Sequence, residues 1–259
     1  MDERSLNSRL SRISTIWSML DDRETSSRAA EDPRLALIER YQGAAYRYLL
    51  GAVRDPDVAD DLFQEFALRA MRGAFGRADR HRGRFRDYLK TALIHLVIDH
   101  QRGPRRRTQP LDNVATPAGP EGDPGEFDRQ FRESWRDELL ARAWNRLEEA
   151  ERQGGQPYYS VLRFRVDQPT ASSAEMAARL TEQLRPQRPF TETGVRKTLQ
   201  RAREQFAEAM IDEVAASLGE HALEELEQEL IDLDLLSYCR SALAKRLAAR
   251  GRDREPRTP

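Results

Sequence analysis

Residues 85–97 read FRDYLKTALIHLV. Phe85, Tyr88, Leu89, Ala92, Leu93, Leu96 and Val97 fall at i, i+3, i+4, i+7, i+8, i+11 and i+12, which is one face of an α-helix. Gly103-Pro104 stops it. A stripe of this width repays chain entropy only when it is buried against other helices. Two stand just upstream. Leu35, Leu37, Ile38, Tyr41, Ala45, Tyr48 and Leu49 form one face, with Pro33 where that helix can begin. Pro56 opens the next, with Val58, Leu62, Phe63, Phe66 and Ala70 on its apolar side. The expectation is a helical bundle over residues 33–102.

Downstream, residues 103–126 (GPRRRTQPLDNVATPAGPEGDPGE) are rich in Pro, Gly and polar side chains and have no period, so they predict a flexible linker. A second helical block, 127–218, begins with Phe127, Phe131, Trp135, Leu139, Leu140, Trp144 and Leu147. Val161–Val166 alternates over a short stretch and reads equally as a helix turn. Ser172-Ser173-Ala174-Glu175 has the form of a capping box and opens a helix through Met176 and Leu180. After Pro186 and Pro189, Thr191 or Thr193 can cap a further helix whose buried side is Val195, Leu199, Ala202 and Phe206. An N-terminal arm, 1–32, carries a stripe of Ile13, Ile16, Trp17 and Leu20. The fold class expected is therefore all-α: a three- or four-helix bundle and a helix-turn-helix domain joined by a linker, followed by a helical extension.

Composition limits the chemistry. One cysteine, Cys239, permits no intrachain disulfide and excludes a cysteine-rich metal site. His81, His95, His100 and His221 are scattered, and the i,i+4 pair His95 and Asp99 has no third ligand or nucleophile beside it. No Gly-rich phosphate loop is present. No catalytic residue, metal or cofactor is expected, and the chain does not read as an enzyme. No apolar run reaches the length of a membrane span, and the opening MDERSLNSRL lacks the apolar centre of a secretory signal, so a cytoplasmic location is expected.

The formal net charge of −1 conceals strong local asymmetry. Arginines crowd Arg80–Arg86 and Arg102–Arg107, whereas Glu220–Asp234 contains no Lys or Arg. Only such local fields steer a polyanion within a Debye length. Beside the core stripe of 85–97, Lys90, Thr91, His95 and Arg102 form a polar side, with Arg84, Arg86, Arg105 and Arg106 at its ends. Basic side chains there can neutralise phosphates, and Tyr88 can stack on an unpaired base. The plain alternative is a solvated helix face running into a charged linker. In the last helix of the second block, Thr191, Thr193, Arg196, Lys197, Gln200 and Arg203 lie opposite Val195 and Leu199. That set suits a recognition helix, in which Arg and Gln reach base edges while Lys and Thr grip phosphates. A generic helical hairpin is the alternative, because the connection TEQLRPQRPF is longer than a tight turn. On the helix opened by Pro56, Asp60 with Gln64 and Asp61 with Glu65 are i,i+4 neighbours outside the apolar stripe. They read either as acids favoured near a helix N-terminus or as a docking face for a basic partner.

These residues resemble a family. Asp57-Val58-Ala59-Asp60-Asp61-Leu62-Phe63-Gln64-Glu65-Phe66 is similar to the D-A-E-D-L-x-Q-E-x-F signature of region 2 in RNA polymerase sigma factors of the extracytoplasmic-function type. The resemblance implies that Asp60, Asp61, Gln64 and Glu65 contact core polymerase. Arg84–Leu93 resembles the next region-2 helix, which captures and melts the upstream edge of the minus-ten element, and Asp99-His100-Gln101-Arg102 resembles the D-H-x-R that closes it. The usual Arg-Asn pair is replaced by Ile94-His95; the T-A-L-x-H form, like Ser14-Thr15-Ile16-Trp17-Ser18, resembles a planctomycete-like branch. Ser173–Leu180 and Gly194–Arg203 resemble region 4, whose final helix reads the minus-thirty-five element. The partners implied are core RNA polymerase and promoter DNA, with an anti-sigma factor or self-regulation as the control.

Residues 219–259 have no counterpart in the minimal family. Leu223, Leu226, Leu230 and Leu233 predict an amphipathic helix with Glu224, Glu225, Glu227 and Glu229 exposed, followed by a basic tail from Arg240 to Arg257. The charge asymmetry suggests that the acidic helix covers a basic DNA-binding face. Two rival readings stay open: a stand-alone helix-turn-helix regulator, which leaves Asp60–Glu65 without a role, and a protein-only adaptor, which leaves the arginines without one.

Overall fold

The computed structural model describes residues 40–71, 84–102, 124–218 and 222–254, and every regular element among them is a helix. The N-terminal arm, Arg105, Arg106 and the greater part of the linker lie outside the described residues. The chain divides into two units, Met1–Glu138 and Leu139–Pro259.

In the first unit, α1 (Gln42–Val53), α2 (Pro56–Met71) and α3 (Phe85–Gln101) pack on one another. Arg54 closes α1 in the left-handed region at φ 57°, its N–H bonded to the Leu50 carbonyl. Asp55 starts α2 directly: its Oδ1 accepts from the backbone N–H of Asp57 (2.9 Å) and Val58 (3.3 Å), two of the donors a helix start leaves orphaned. Pro56 then occupies the first position, where a missing N–H costs nothing. The centre of each stripe is buried: Tyr46, Leu49, Phe63, Phe66, Leu89, Leu93 and Leu96 are each at most 2% exposed, while Val58, Phe85 and Tyr88 are half-buried.

A fourth helix, α4 (Pro124–Arg152), begins inside the expected linker and runs through the boundary between the units. Phe131 and Trp135, assigned by the sequence reading to the second block, belong to the core of the first unit. Trp135 stacks on Tyr41 with ring centroids 4.4 Å apart and also meets Phe85 and Phe131. Phe131 stands edge-on to Tyr48 at 5.5 Å. Such rings bury large areas and add directional contacts. Gly43 faces the Glu138 carboxylate, which a Cβ there would push aside. Arg47 Nη2 holds the same carboxylate at 2.5 Å.

The second unit is built around α7 (Glu192–Leu218), on which α5 (Tyr158–Asp167), α6 (Ser173–Leu184), α8 (Ala222–Asp232) and α9 (Leu236–Arg254) all pack. Val161–Val166 is thus helical rather than extended. One core joins Leu147, Val161, Phe164, Met176, Leu180, Val195, Leu199 and Ala202, flanked by Trp144, Phe190 and Phe206. The C-terminal half of α7 buries Met210, Ile211 and Val214, and α8 and α9 bury Leu226, Leu230, Leu233, Cys239 and Leu243. Arg246 and Lys245 tie α9 to Asp212 (2.6 Å) and Glu204 (3.6 Å) of α7.

The extension is helical as expected, and its basic stretch continues as helix to Arg254 with Cys239, Ala242 and Leu243 buried. One expectation for it is corrected. Glu229, expected outside, is fully buried, since it shares the α8 face with Leu226, Leu230 and Leu233. Within this unit the acidic helix does not cover the Arg196–Arg203 face, whose polar side chains remain exposed. Leu223 and Glu224 have side chains outside the described set. Among the described residues no helix is long and apolar enough to cross a membrane.

Candidate nucleic-acid interface

The expected docking face on α2 is divided between two kinds of residue. Asp61, Gln64 and Glu65 are exposed. Asp60 is half-buried and accepts a 2.7 Å hydrogen bond from Tyr46 Oη, which ties α2 to α1. Glu65 accepts from Arg69 Nε at 2.8 Å, and Arg69 also lies 3.8 Å from Asp99 of α3. Exposed pairs of this kind hold loosely and can be exchanged for a partner's cations.

On α3 the polar side is narrower than the sequence suggests. Arg102 and Thr91 are exposed, while Arg84, Tyr88, Lys90 and His95 are half-buried. Arg86 is only 9% exposed, because it falls on the stripe with Leu89 and Leu93, so it departs from the expected DNA-facing side. Thr91 Oγ1 donates to the Asp87 carbonyl at 2.8 Å, which spends its proton and leaves it an acceptor only. His95 Nδ1 is buried with no hydrogen-bond partner among the described residues. Burial pushes its pKa down and the nearby Asp99 carboxylate partly pulls it back, so the ring is neutral at physiological pH and offers polarity rather than charge. Lys90 Nζ lies 3.2 Å from Asp128 of α4, a pairing that sequence periodicity could not reveal because α4 was assigned to the other block.

In the second unit α6 packs on α7. Ser172 and Glu175 make the full capping box: Ser172 Oγ accepts from Glu175 N (3.2 Å), and Glu175 Oε2 accepts from Ser172 N (2.7 Å). Hydrogen bonding to the carboxylate from the Ser172 backbone N–H, and then from the Ser172 hydroxyl, holds the Glu175 carboxyl below its ordinary value. Ahead of the pair, Arg165 donates to the carbonyls of Pro169 (2.9 Å) and Ala171 (2.8 Å), fixing the chain's approach to α6. Thr191 Oγ1 accepts from Gly194 N at 3.0 Å and caps α7, leaving its hydroxyl proton free to donate. Thr193, Arg196, Lys197, Gln200 and Arg203 are all exposed, with Val195, Leu199 and Ala202 buried opposite. Arg196 pairs with Glu192 one turn back.

Residues 37–108 match the family model of sigma-70 region 2, a span that contains α1, α2 and α3. The match supports a sigma-70 family RNA polymerase sigma factor, a protein of transcription initiation. No curated protein and no solved structure matches the chain.

Proposed function

We propose that this chain is a sigma factor of the extracytoplasmic-function type, of a planctomycete-like branch, that binds core RNA polymerase and directs promoter recognition and melting. The region-2 match over residues 37–108, lying on a helix trio whose α2 presents Asp61, Gln64 and Glu65 to solvent, carries the reading. In it, Asp61, Gln64 and Glu65 dock on a basic polymerase surface, with Asp60 holding α2 against α1. Arg84, Tyr88, Lys90, Thr91, His95 and Arg102, with Arg105 and Arg106 beyond, engage the minus-ten element. Thr191, Thr193, Arg196, Lys197, Gln200 and Arg203 engage the minus-thirty-five duplex.

Catalysis belongs to the polymerase. The chain's part in melting is to bind unpaired bases better than stacked ones; held bases offset an unstacking cost of a few kcal/mol. Phosphate contacts supply affinity and register, and base-edge contacts from α7 supply sequence preference.

The exposed basic face of α7 also favours a second reading, a regulator that binds duplex DNA without polymerase. Binding to purified core polymerase separates the two. The first reading expects a stable complex that Asp61→Lys with Glu65→Lys abolishes. Intact duplex binding with no core complex would favour the second.

A further inference from the structure

The connection between α6 and α7 spans residues 185–191, well beyond a tight turn. Its length reads at first as a defect in a DNA-binding motif. Its construction argues otherwise.

The segment is fixed at both ends. Arg185 takes a left-handed backbone, φ 44°, and its N–H caps the Thr181 carbonyl at 3.0 Å. Thr181 Oγ1 then accepts from Phe190 N at 2.9 Å, closing the loop across its base. Phe190 packs on the core that also holds Val195 and Leu199. Pro186 and Pro189 restrict the backbone between these anchors. A loop held this way loses little entropy when it meets a ligand.

What it presents is basic. Arg185 and Arg188 are both exposed. No Asp or Glu occurs from Gln183 to Thr191. Glycine is the ordinary occupant of a left-handed helix cap, and any other residue pays a conformational cost there. Arginine at this position keeps a long cation that glycine would not supply.

The placement fits a groove edge. Residue 188 is four positions from the start of α7, so it lies at most about 14 Å from it. The major groove is about 12 Å wide. A helix seated in the groove by its N-terminal end therefore brings the preceding segment to the flanking phosphates. We infer that the 185–191 segment is a rigid basic wing, in which Arg185 and Arg188 grip the phosphate backbone beside the groove that α7 enters. This rests on the reading of α7 as a recognition helix.

The test is a salt titration of the full chain on a fluorescein-labelled random-sequence duplex pool. Each phosphate contact contributes about 0.9 to the slope of log K against log salt. The variant R185G/R188Q is expected to lower that slope by about 2, and R188Q alone by about 1, equally on all sequences. R240Q removes the same charge from an exposed site on α9 and is expected to leave the slope unchanged. Glycine suits the backbone at 185, so thermal stability should not fall; if the double variant does lose stability, R188Q alone decides. An unchanged slope for R188Q and R185G/R188Q, with a lowered slope for K197Q/R203Q, overturns the wing and leaves the recognition helix standing. Unchanged slopes for all three would overturn the recognition reading and the wing with it. A slope lowered as much by R240Q as by R188Q assigns the effect to net charge and overturns the wing.

Discussion

Trp135→Ala should unfold the first unit before the second. The indole is fully buried and stacks on Tyr41 at 4.4 Å, with Phe85 and Phe131 around it. Truncating a buried Trp to Ala costs about 3–5 kcal/mol. One term works the other way: among the described residues Nε1 of Trp135 is buried without a hydrogen-bond partner, and removing an unsatisfied donor returns about 1 kcal/mol or more. The net cost therefore falls near the low end, about 3 kcal/mol, against a total of about 5–15 kcal/mol for a typical domain. Trp135→Phe keeps a ring in the stack and discards the orphan N–H, so it should cost only about 1 kcal/mol or less. Hydrogen exchange on the full chain reads the outcome by peptide. Ala at 135 should strip protection from residues 42–53 and 85–101 and spare 158–218, and Phe should spare all three. Protection lost in 158–218 but kept in 42–53 and 85–101 would refute the assignment of this part of α4 to the first unit.

Three further outcomes follow from single contacts. Ser172→Ala removes half of the capping box and should cost about 1 kcal/mol in urea unfolding of the second unit, with no change in core binding. Asp128→Asn frees Lys90 and, on the proposed DNA role of that lysine, should tighten binding of single-stranded oligonucleotide about two- to fivefold, the scale of an exposed ion pair, whereas Glu133→Gln, exposed on the same helix, should not; equal effects would mean net charge alone is read. Burial pushes the Cys239 thiol from 9.0 up to about 11. At pH 8 only on the order of one thiol in a thousand is ionised, so a thiol reagent should react slowly with the native chain and quickly in urea. Because the fold favours the neutral thiol, its contribution is complete below pH 9 and lost as pH rises through about 11, and Cys239→Ala should flatten that part of the stability profile.

The periodic helices were legible, and for a physical reason. The Leu89–Val97 stripe is a repeat within one segment, and the Pro56 start and the Ser172–Glu175 box are local patterns whose partners are their own neighbours in the chain. What periodicity cannot tell is which surface a stripe meets. Phe131 and Trp135 read as apolar and helical, but nothing in their spacing says that their neighbours are Tyr41, Tyr48 and Phe85. Charge is ordinarily solvated, so residue type alone puts Arg86 and Glu229 outside; each lies within a buried stripe instead. At the candidate interface, residue type marked Asp61, Glu65, Lys197 and Gln200 as polar positions off the core, and they are exposed. The hydrogen bond from Tyr46 to Asp60, the Lys90–Asp128 pair and the anchoring of Phe190 to Thr181 join separate helices or distant turns, and spacing carries no trace of them.

The most direct measurement is run-off transcription by purified core RNA polymerase on a library of genomic promoter fragments, with the full chain, without it, and with Asp61→Lys and Glu65→Lys combined. The account predicts transcripts that require the chain and disappear with the double reversal while its duplex DNA binding persists. Transcripts unaffected by the chain, with that DNA binding intact, would contradict the assignment as an initiation factor.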